Sequence, residues 1–383
     1  MSRKIRMGMV GGGRGAFIGN VHRMAAAMDG QIDLVGGVFS SDSEKSKASG
    51  SDLFLSPDRV YSSFEEMIIS EKKLPADQRM DLVSIVTPNH MHFKPAAMAI
   101  TNGFHVICDK PLCYNLEEAY ELQELVMHSD RIFALTHNYT GYPLVKQAKK
   151  MLRDGKLGEI RKVVVEYPQG WLSTLLEASD QKQAAWRTDP SRSGIAGAIG
   201  DIGTHAENLA EYITGLKITE LCADISTMVD GRKLDDDGNV LLRFENGARG
   251  ILYASQISAG EENNLRIRVY GEKGGLEWAQ MEPNTLIVRW AERPMEILRT
   301  GGPGLGPEAA AHTRIPAGHP EGYLEAFANI YRNVAKCIQA KDSGLEVDPL
   351  FKDFPDIKDG VRGMEFIYKV IESGKSTQKW LKL

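Results

Sequence analysis

Cysteine is scarce: Cys108, Cys113, Cys222 and Cys337 are the only four in 383 residues. None lies in a CxxC pair, and none joins the nine histidines at zinc-ligand spacing. No metal site is expected, and a reducing, cytoplasmic setting suits the chain best. No run approaches the roughly 20 apolar residues of a membrane span. The basic start, Met1 to Arg6, leads only into a short apolar run ending in glycines, too short for a signal-peptide core. Positive charge is not in surplus either. Lys and Arg number 46 against 51 Asp and Glu, a formal net charge of -5, which argues against a general binder of nucleic acid or acidic membrane. A local basic pocket for a phosphate stays open. Repeats and low-complexity tracts are absent.

What is there reads as ordinary globular protein, 42% apolar and 25% charged. The length exceeds what one core usually spans, so two domains are expected. In the first, short apolar runs alternate with helical patterns. Ile5 to Val10, Ile32 to Phe39, Asp81 to Thr87, His105 to Cys108 and Arg131 to Thr136 read as strands, with a brief element at Val60-Tyr61. Helices fall between them, Leu116 to His128 the longest. Strand–helix alternation with short connections predicts a parallel sheet covered on both faces. After about Gly141 the pattern changes. A helix at Leu144 to Leu152 precedes β-rich runs at Ile160 to Tyr167, Ile218 to Val229, Asn239 to Phe244, Ala248 to Ser258, Leu265 to Tyr270 and Leu276 to Arg289. Their partial alternation and glycine turns predict an antiparallel meander with one wet face. Helices return at Glu321 to Lys341 and Asp356 to Ser373.

Three stretches carry chemistry. Directly after the first strand comes Gly11-Gly12-Gly13-Arg14-Gly15-Ala16-Phe17-Ile18-Gly19. Glycines there let a pyrophosphate approach the backbone, and the following helix start supplies N–H groups and a positive dipole end. Gly11-x-Gly13-x-x-Ala16 meets the looser form of that fingerprint; the bland alternative is an ordinary turn. The ribose-binding acid expected after the second strand is replaced by Ser40 and Ser41, with Asp42 two places after Ser40. The serines suit a ribose hydroxyl or a 2′-phosphate, which Arg14 could reach; Asp42 would oppose a second phosphate charge and no arginine follows Ser40 directly, so NAD is favoured with NADP left open. The second stretch is Cys108-Asp109-Lys110-Pro111, at the carboxyl end of a strand, where ligands bind in open α/β sheets. The Lys110 ammonium can stabilise an alkoxide; taken alone, the motif reads as a surface lysine beside a proline turn. The third is Gly200-Asp201-Ile202-Gly203-Thr204-His205, whose acid and histidine share a helical face if the helix begins by Asp201. Such a pair can take a hydroxyl proton, or be an N-cap beside a packed histidine.

With Thr87-Pro88-Asn89-His90-Met91-His92 added, these motifs in this order resemble the glucose–fructose oxidoreductase / inositol dehydrogenase / rhizopine catabolism family. The similarity runs through nearly the whole chain. It implies an N-terminal doubly wound Rossmann domain over 1–141. A C-terminal α+β domain follows over 142–383, with a large open, predominantly antiparallel sheet that often forms homodimers or homotetramers. The C-terminal helix can pack back on the first domain. The resemblance also implies that Lys110, Asp201 and His205 meet at the nicotinamide. The glycine turn (Gly11, Gly13, Arg14, Gly15, Ala16, Phe17, Ile18), Ser40 and Ser41, Thr87, Pro88, Asn89, His92, Asp109 and Lys110 would line the cofactor. There are departures: Asp109 stands where the family has glutamate, and Asn208 where an aspartate often closes the third motif. The glycine turn is a few residues longer, so Gly19 competes with Ala16 for the third glycine position. The long turn and the His319-Pro320-Glu321-Gly322-Tyr323 segment look like the sugar and glycoside (levoglucosan-type) dehydrogenase branch. Trp171, Trp186, Arg187, His319 and Tyr323, with Lys110, Asp201 and His205, are the expected substrate contacts.

The function implied is hydride transfer between nicotinamide and a secondary hydroxyl of a sugar, glycoside or polyol. Two alternatives stand beside it: a glycoside hydrolase that oxidises its substrate transiently, and a non-catalytic dinucleotide sensor. A sensor needs neither base nor oxyanion donor, so Lys110 with Asp201 and His205 weighs against it.

Overall fold

The computed structural model describes residues 3–179 and 181–383. The chain divides into two units, Met1–Asn138 with Tyr323–Val361, and Tyr139–Gly322 with Arg362–Leu383.

In the first unit, five parallel strands form one sheet: β1 (Ile5–Gly11), β2 (Ile32–Val38), β3 (Leu82–Val86), β4 (His105–Cys108) and β5 (Phe133–Leu135), in the order β2-β1-β3-β4-β5. Every residue of β3 and β4 is buried, as expected of strands covered on both faces. The element expected at Val60-Tyr61 survives as a single parallel bridge from Val60 to Gly37 of β2. Counted as a strand, it completes the 3-2-1-4-5-6 order of dinucleotide-binding sheets. The helix Tyr323–Asp342 packs on the helix Phe17–Met28. Its Phe327, Tyr331, Val334 and Ile338 share a core with Ile5, Met7 and Met9 of β1. Each fully buried large apolar side chain contributes about 1.5–3 kcal/mol, which ties this late segment to the first strand.

The second unit holds nine strands: β6 (Ile160–Pro168), β7 (Ile218–Ser226), β8 (Asp237–Phe244), β9 (Arg249–Ser255), β10 (Arg266–Gly271), β11 (Gly274–Ala279), β12 (Thr285–Trp290), β13 (Glu296–Arg299) and β14 (Trp380–Lys382). Their order is β13-β12-β11-β10-β6-β9-β8-β7-β14, with β6 and β9 parallel and every other pair antiparallel. Register partners run in one row across the sheet through Trp380, Cys222, Leu241, Ile251, Val164, Arg268, Glu277, Ile287 and Ile297. None of these is buried. The alternate residues, Leu221, Leu242, Leu252, Val165, Ile267, Trp278 and Leu286 among them, are buried, and the helices Pro143–Arg153 and Thr204–Thr214 pack against the sheet. The single strand expected over Leu276 to Arg289 is instead two, because a turn through Pro283 closes with Thr285 N–H on the Glu282 carbonyl at 3.0 Å. Proline cannot donate to a ladder, so the run breaks there.

Candidate active site

Each unit presents its own group of residues. In the first, the glycine turn leaves the carboxyl end of β1 with Gly11, Gly12 and Gly15 at positive φ. The close approach of helix to turn is made at Gly19: a Cβ there would stand 2.3 Å from Gly12 Cα. The alternative match, Gly19 rather than Ala16, is therefore the one that carries helix–strand packing. Ala16 sits at the N-cap of Phe17–Met28, where no side chain caps the helix and no acid occupies the first turn. The free first-turn N–H groups suit a pyrophosphate. Arg23, from the same helix, donates to the Gly12 carbonyl at 2.7 Å and holds the turn from below; nothing in the motif pointed to it.

Around this turn the other expected cofactor residues take defined places. Ser40 Oγ accepts from the Asp42 N–H at 3.2 Å, and Asp42 caps the helix Ser43–Asp52 through the Lys45 N–H at 2.9 Å. Ser41 is exposed. Arg14 is engaged: its guanidinium grips Asp52 through two bonds of 2.6 and 2.7 Å. Thr87 and Pro88 follow β3, and Asn89 behind them is buried. His92 is wholly buried, its ring nitrogens 2.8 Å from the Pro111 and Thr87 carbonyls, so it straps the second motif to the turn after β3. Asp109 accepts from the Lys110 N–H at 2.9 Å and from Thr136 Oγ1 at 2.7 Å. Half-buried Lys110 precedes a cis proline, Pro111. Beyond β5, His137 is buried; that burial first, then the Lys110 charge, pushes its imidazole down to about 3.

In the second unit, Asp201 lies in a π-helical turn, Ile199–Gly203, that runs straight into Thr204–Thr214. Asp201 and His205 therefore belong to one continuous helical stretch, and the N-cap alternative for Asp201 fails. Asp201 Oδ2 accepts from Gln256 Nε2 at 2.8 Å and faces Arg187 Nε at 3.3 Å. Asp235 fixes the entry to this turn, its buried carboxylate accepting from the Gly197 and Ile199 N–H groups at 2.7 and 2.8 Å. His205 packs edge-on against Tyr139, ring centroids 4.8 Å apart, and the Tyr139 hydroxyl bonds that of Tyr167. Burial, then the Tyr167 neighbour, pushes the Tyr139 phenol up.

A ladder of amides extends from Asp201. Gln169 Oε1 accepts from Trp171 Nε1 at 2.9 Å, and Gln169 Nε2 donates to Asn263 Oδ1 at 2.5 Å. The Arg187 guanidinium lies over the Trp186 ring at 4.4 Å and toward Trp171 at 6.0 Å. Trp171, Trp186, Arg187, Asp201 and His205 thus belong to one neighbourhood, with Gln169, Gln256, Tyr139 and Tyr167 as members that no motif announced. His319 does not join them. It sits on an exposed loop with Nδ1 on the Pro316 carbonyl at 3.1 Å. Tyr323 belongs to the first unit, its ring against Phe327. Among the described residues no cluster of metal-ligating side chains occurs, and no helix is long and apolar enough to cross a membrane.

A doubly wound parallel sheet with an uncapped helix behind a glycine turn defines a dinucleotide-binding protein. Residues 5–137 match the oxidoreductase family with an NAD-binding Rossmann fold, and residues 145–277 match the GFO/IDH/MocA C-terminal domain. The chain belongs to this GFO/IDH/MocA family of NAD-binding oxidoreductases. An oxidoreductase structure from Sinorhizobium meliloti is 47% identical, with TM-score 0.90, over 99% of this chain and 100% of that one. An inositol dehydrogenase homologue from Azotobacter vinelandii, solved with NAD+, is 35% identical with TM-score 0.95, over 100% of this chain and 98% of that one. The same homologue has also been solved with NADH and myo-inositol, at 34% identity and TM-score 0.92 over the same shares of both chains. Levoglucosan dehydrogenase of Pseudarthrobacter phenanthrenivorans is 27% identical over 323 residues, 76% of this chain and 78% of that protein.

Proposed function

We propose that this oxidoreductase takes a hydride from a secondary hydroxyl carbon of a cyclic polyol or sugar, an inositol-like ring first among them. The reading is carried by Asp201: an acid held by Gln256 and Arg187 within the helical stretch that bears His205, rather than spent on capping. Bound nicotinamide supplies the hydride acceptor. His205 takes the hydroxyl proton as general base. Lys110 donates to the same oxygen and stabilises the charge that develops on it. Asp201 orients the ring, with Gln169 and Gln256 as amides suited to hydroxyl recognition and the Trp171 and Trp186 faces suited to sugar C–H surfaces. The relative solved with myo-inositol favours a polyol over the bicyclic sugar of the more distant levoglucosan dehydrogenase. His319, bonded within its own loop, has no part in this reading.

The test follows NADH formation from NAD+ with myo-inositol, other inositols, levoglucosan, free hexoses and methyl glycosides. NADH from at least one cyclic polyol or sugar is expected. Glycoside cleavage without net NADH, or silence across the panel with measurable NAD+ binding, would replace this reading with the hydrolase or the sensor. Four unpaired thiols support a cytoplasmic setting. The uncovered row across the large sheet supports a homodimer or homotetramer formed through that face.

A further inference from the structure

A polar array is buried in the first unit between β3 and the Asp109-Lys110 turn. Ser84 Oγ lies 2.8 Å from the Tyr331 hydroxyl, which lies 2.7 Å from His22 Nδ1. All three residues are wholly shielded from solvent. His22 Nε2 has no hydrogen-bond partner and faces Asp109 Oδ2 at 4.0 Å. The other carboxylate oxygen, Oδ1, holds the Lys110 N–H and the Thr136 hydroxyl.

Proton directions in this array follow from what each group can do. A carboxylate only accepts, so the nitrogen facing Asp109 must carry the hydrogen. Nδ1 then accepts from Tyr331, and Tyr331, its one proton given, accepts from Ser84. Burial keeps the imidazole neutral, pushed down to about 4, with Asp109 opposing that and Arg23 and His92 reinforcing it. A core that needed only packing would fill this space with apolar side chains, because a buried N–H beyond hydrogen-bond range costs free energy. Here the unspent N–H is aimed at the one carboxylate that grips the Lys110 main chain.

We propose that Tyr331 and His22 are positioning residues: the array Ser84→Tyr331→His22 turns one fixed N–H on Asp109 and thereby sets the direction in which Lys110 leaves the sheet. Its effect on rate rests on the dehydrogenase reading; its effect on Lys110 does not. A misplacement of about 1 Å costs up to roughly 100-fold in rate, so Tyr331→Phe should lower kcat by roughly tenfold with NAD+ affinity unchanged.

Three measurements test it on the intact protein. In 15N-histidine NMR, His22 should be the neutral Nε2–H tautomer throughout the neutral pH range. In Tyr331→Phe, the Lys110 backbone amide resonance should move although His22 and Asp109 stand between the two residues. With the best substrate of the panel, Asp109→Asn combined with Tyr331→Phe should be no slower than Asp109→Asn alone. Should Tyr331→Phe fail to fold, Ser84→Ala removes the donor at the far end and is read in the same way. An Nδ1–H tautomer, an unmoved Lys110 resonance, or fully additive losses of kcat would overturn the proposal. If no substrate yields NADH, the dehydrogenase reading falls, and the tautomer and the Lys110 resonance still decide the array.

Discussion

Arg187 Nε stands 3.3 Å from Asp201 Oδ2, the oxygen that also accepts from Gln256 Nε2 at 2.8 Å. A cation and an amide donor on one oxygen favour the ionised acid. On the proposed reading Asp201 is the fixed anion and His205 the proton acceptor. Gln256→Glu would set a second carboxylate against it, and two carboxylates so close hold one proton between them to higher pH. The acid limb of kcat/KM should then move upward in pH. Gln256→Ala should leave the limb in place and lower kcat/KM by the loss of a hydrogen bond to a charged group, about 1.5–3 kcal/mol. Coincident profiles for Gln256→Glu and wild type would show that the charge on Asp201 does not matter to turnover.

Acid should destabilise the fold through its buried histidines. Burial holds His22 and His105 down to about 4 and His137 to about 3. Each folded value lies below the ordinary 6.5, so the unfolded chain binds protons first as pH drops. The stability these rings contribute is whole above 6.5 and drains away toward their folded values. The Tm should fall between about pH 6.5 and 4, and His105→Phe should flatten that slope if folding survives. A Tm constant across that range would contradict the neutral, buried assignment of all three.

The doubly covered strands were readable because nothing else explains runs such as Leu82–Val86, five buried residues between breakers. The glycine turn and the two later motifs were readable because each joins an element end to chemistry. The amide ladder was not. Gln169 and Gln256 look like any polar residue at the end of a strand, and only the β6–β9 pairing, with Gln169 N–H on the Ser255 carbonyl at 2.7 Å, brings them side by side. The same holds for Tyr331, which sits 247 residues beyond the Ser84 it bonds. The Arg14 pairing was not legible either. The position of Arg14 suggested a phosphate, and its partner Asp52 lies 38 residues on, beyond the reach of local pattern.

That pair bears on cofactor choice. With Arg14 held by Asp52, the cation of the glycine turn is spent, which fits NAD over its phosphorylated form. Asp52→Asn should release Arg14 and raise NADP+ affinity, at most about fivefold because exposed pairs are weak. Ser40→Asp should act the other way and deepen the preference for NAD+. Calorimetric titration with both cofactors checks it; equal NADP+ affinity in wild type and Asp52→Asn would remove Arg14 from cofactor selection.

The uncovered row on the large sheet predicts association. Leu241 and Ile251 are register partners within it, 48% and 36% exposed. Leu241→Arg should leave the monomer folded, since the side chain has solvent beside it, and should weaken self-association measured by sedimentation. Wild-type and variant protein sedimenting alike would place any interface elsewhere.

The catalytic assignment makes the sharpest prediction, because base and oxyanion donor fail differently. Losing a positioned base costs on the order of 100- to 10,000-fold in rate, about 3–5 kcal/mol of barrier. His205→Ala should lower kcat by about that factor, with the deficit largest at low pH and partly recovered as hydroxide rises. Small exogenous imidazoles should restore some turnover by occupying the space beside Tyr139 and Tyr167. Lys110→Ala should reduce kcat and raise KM together, because its ammonium meets the ground-state hydroxyl as well as the developing alkoxide. Neither change should greatly alter NAD+ affinity if, as proposed, both side chains act on the substrate oxygen. Near-wild-type turnover in both variants, on whichever ring the panel finds, would refute the mechanism. His205 would then be a packed ring against two tyrosines, and Lys110 a lysine beside a proline turn.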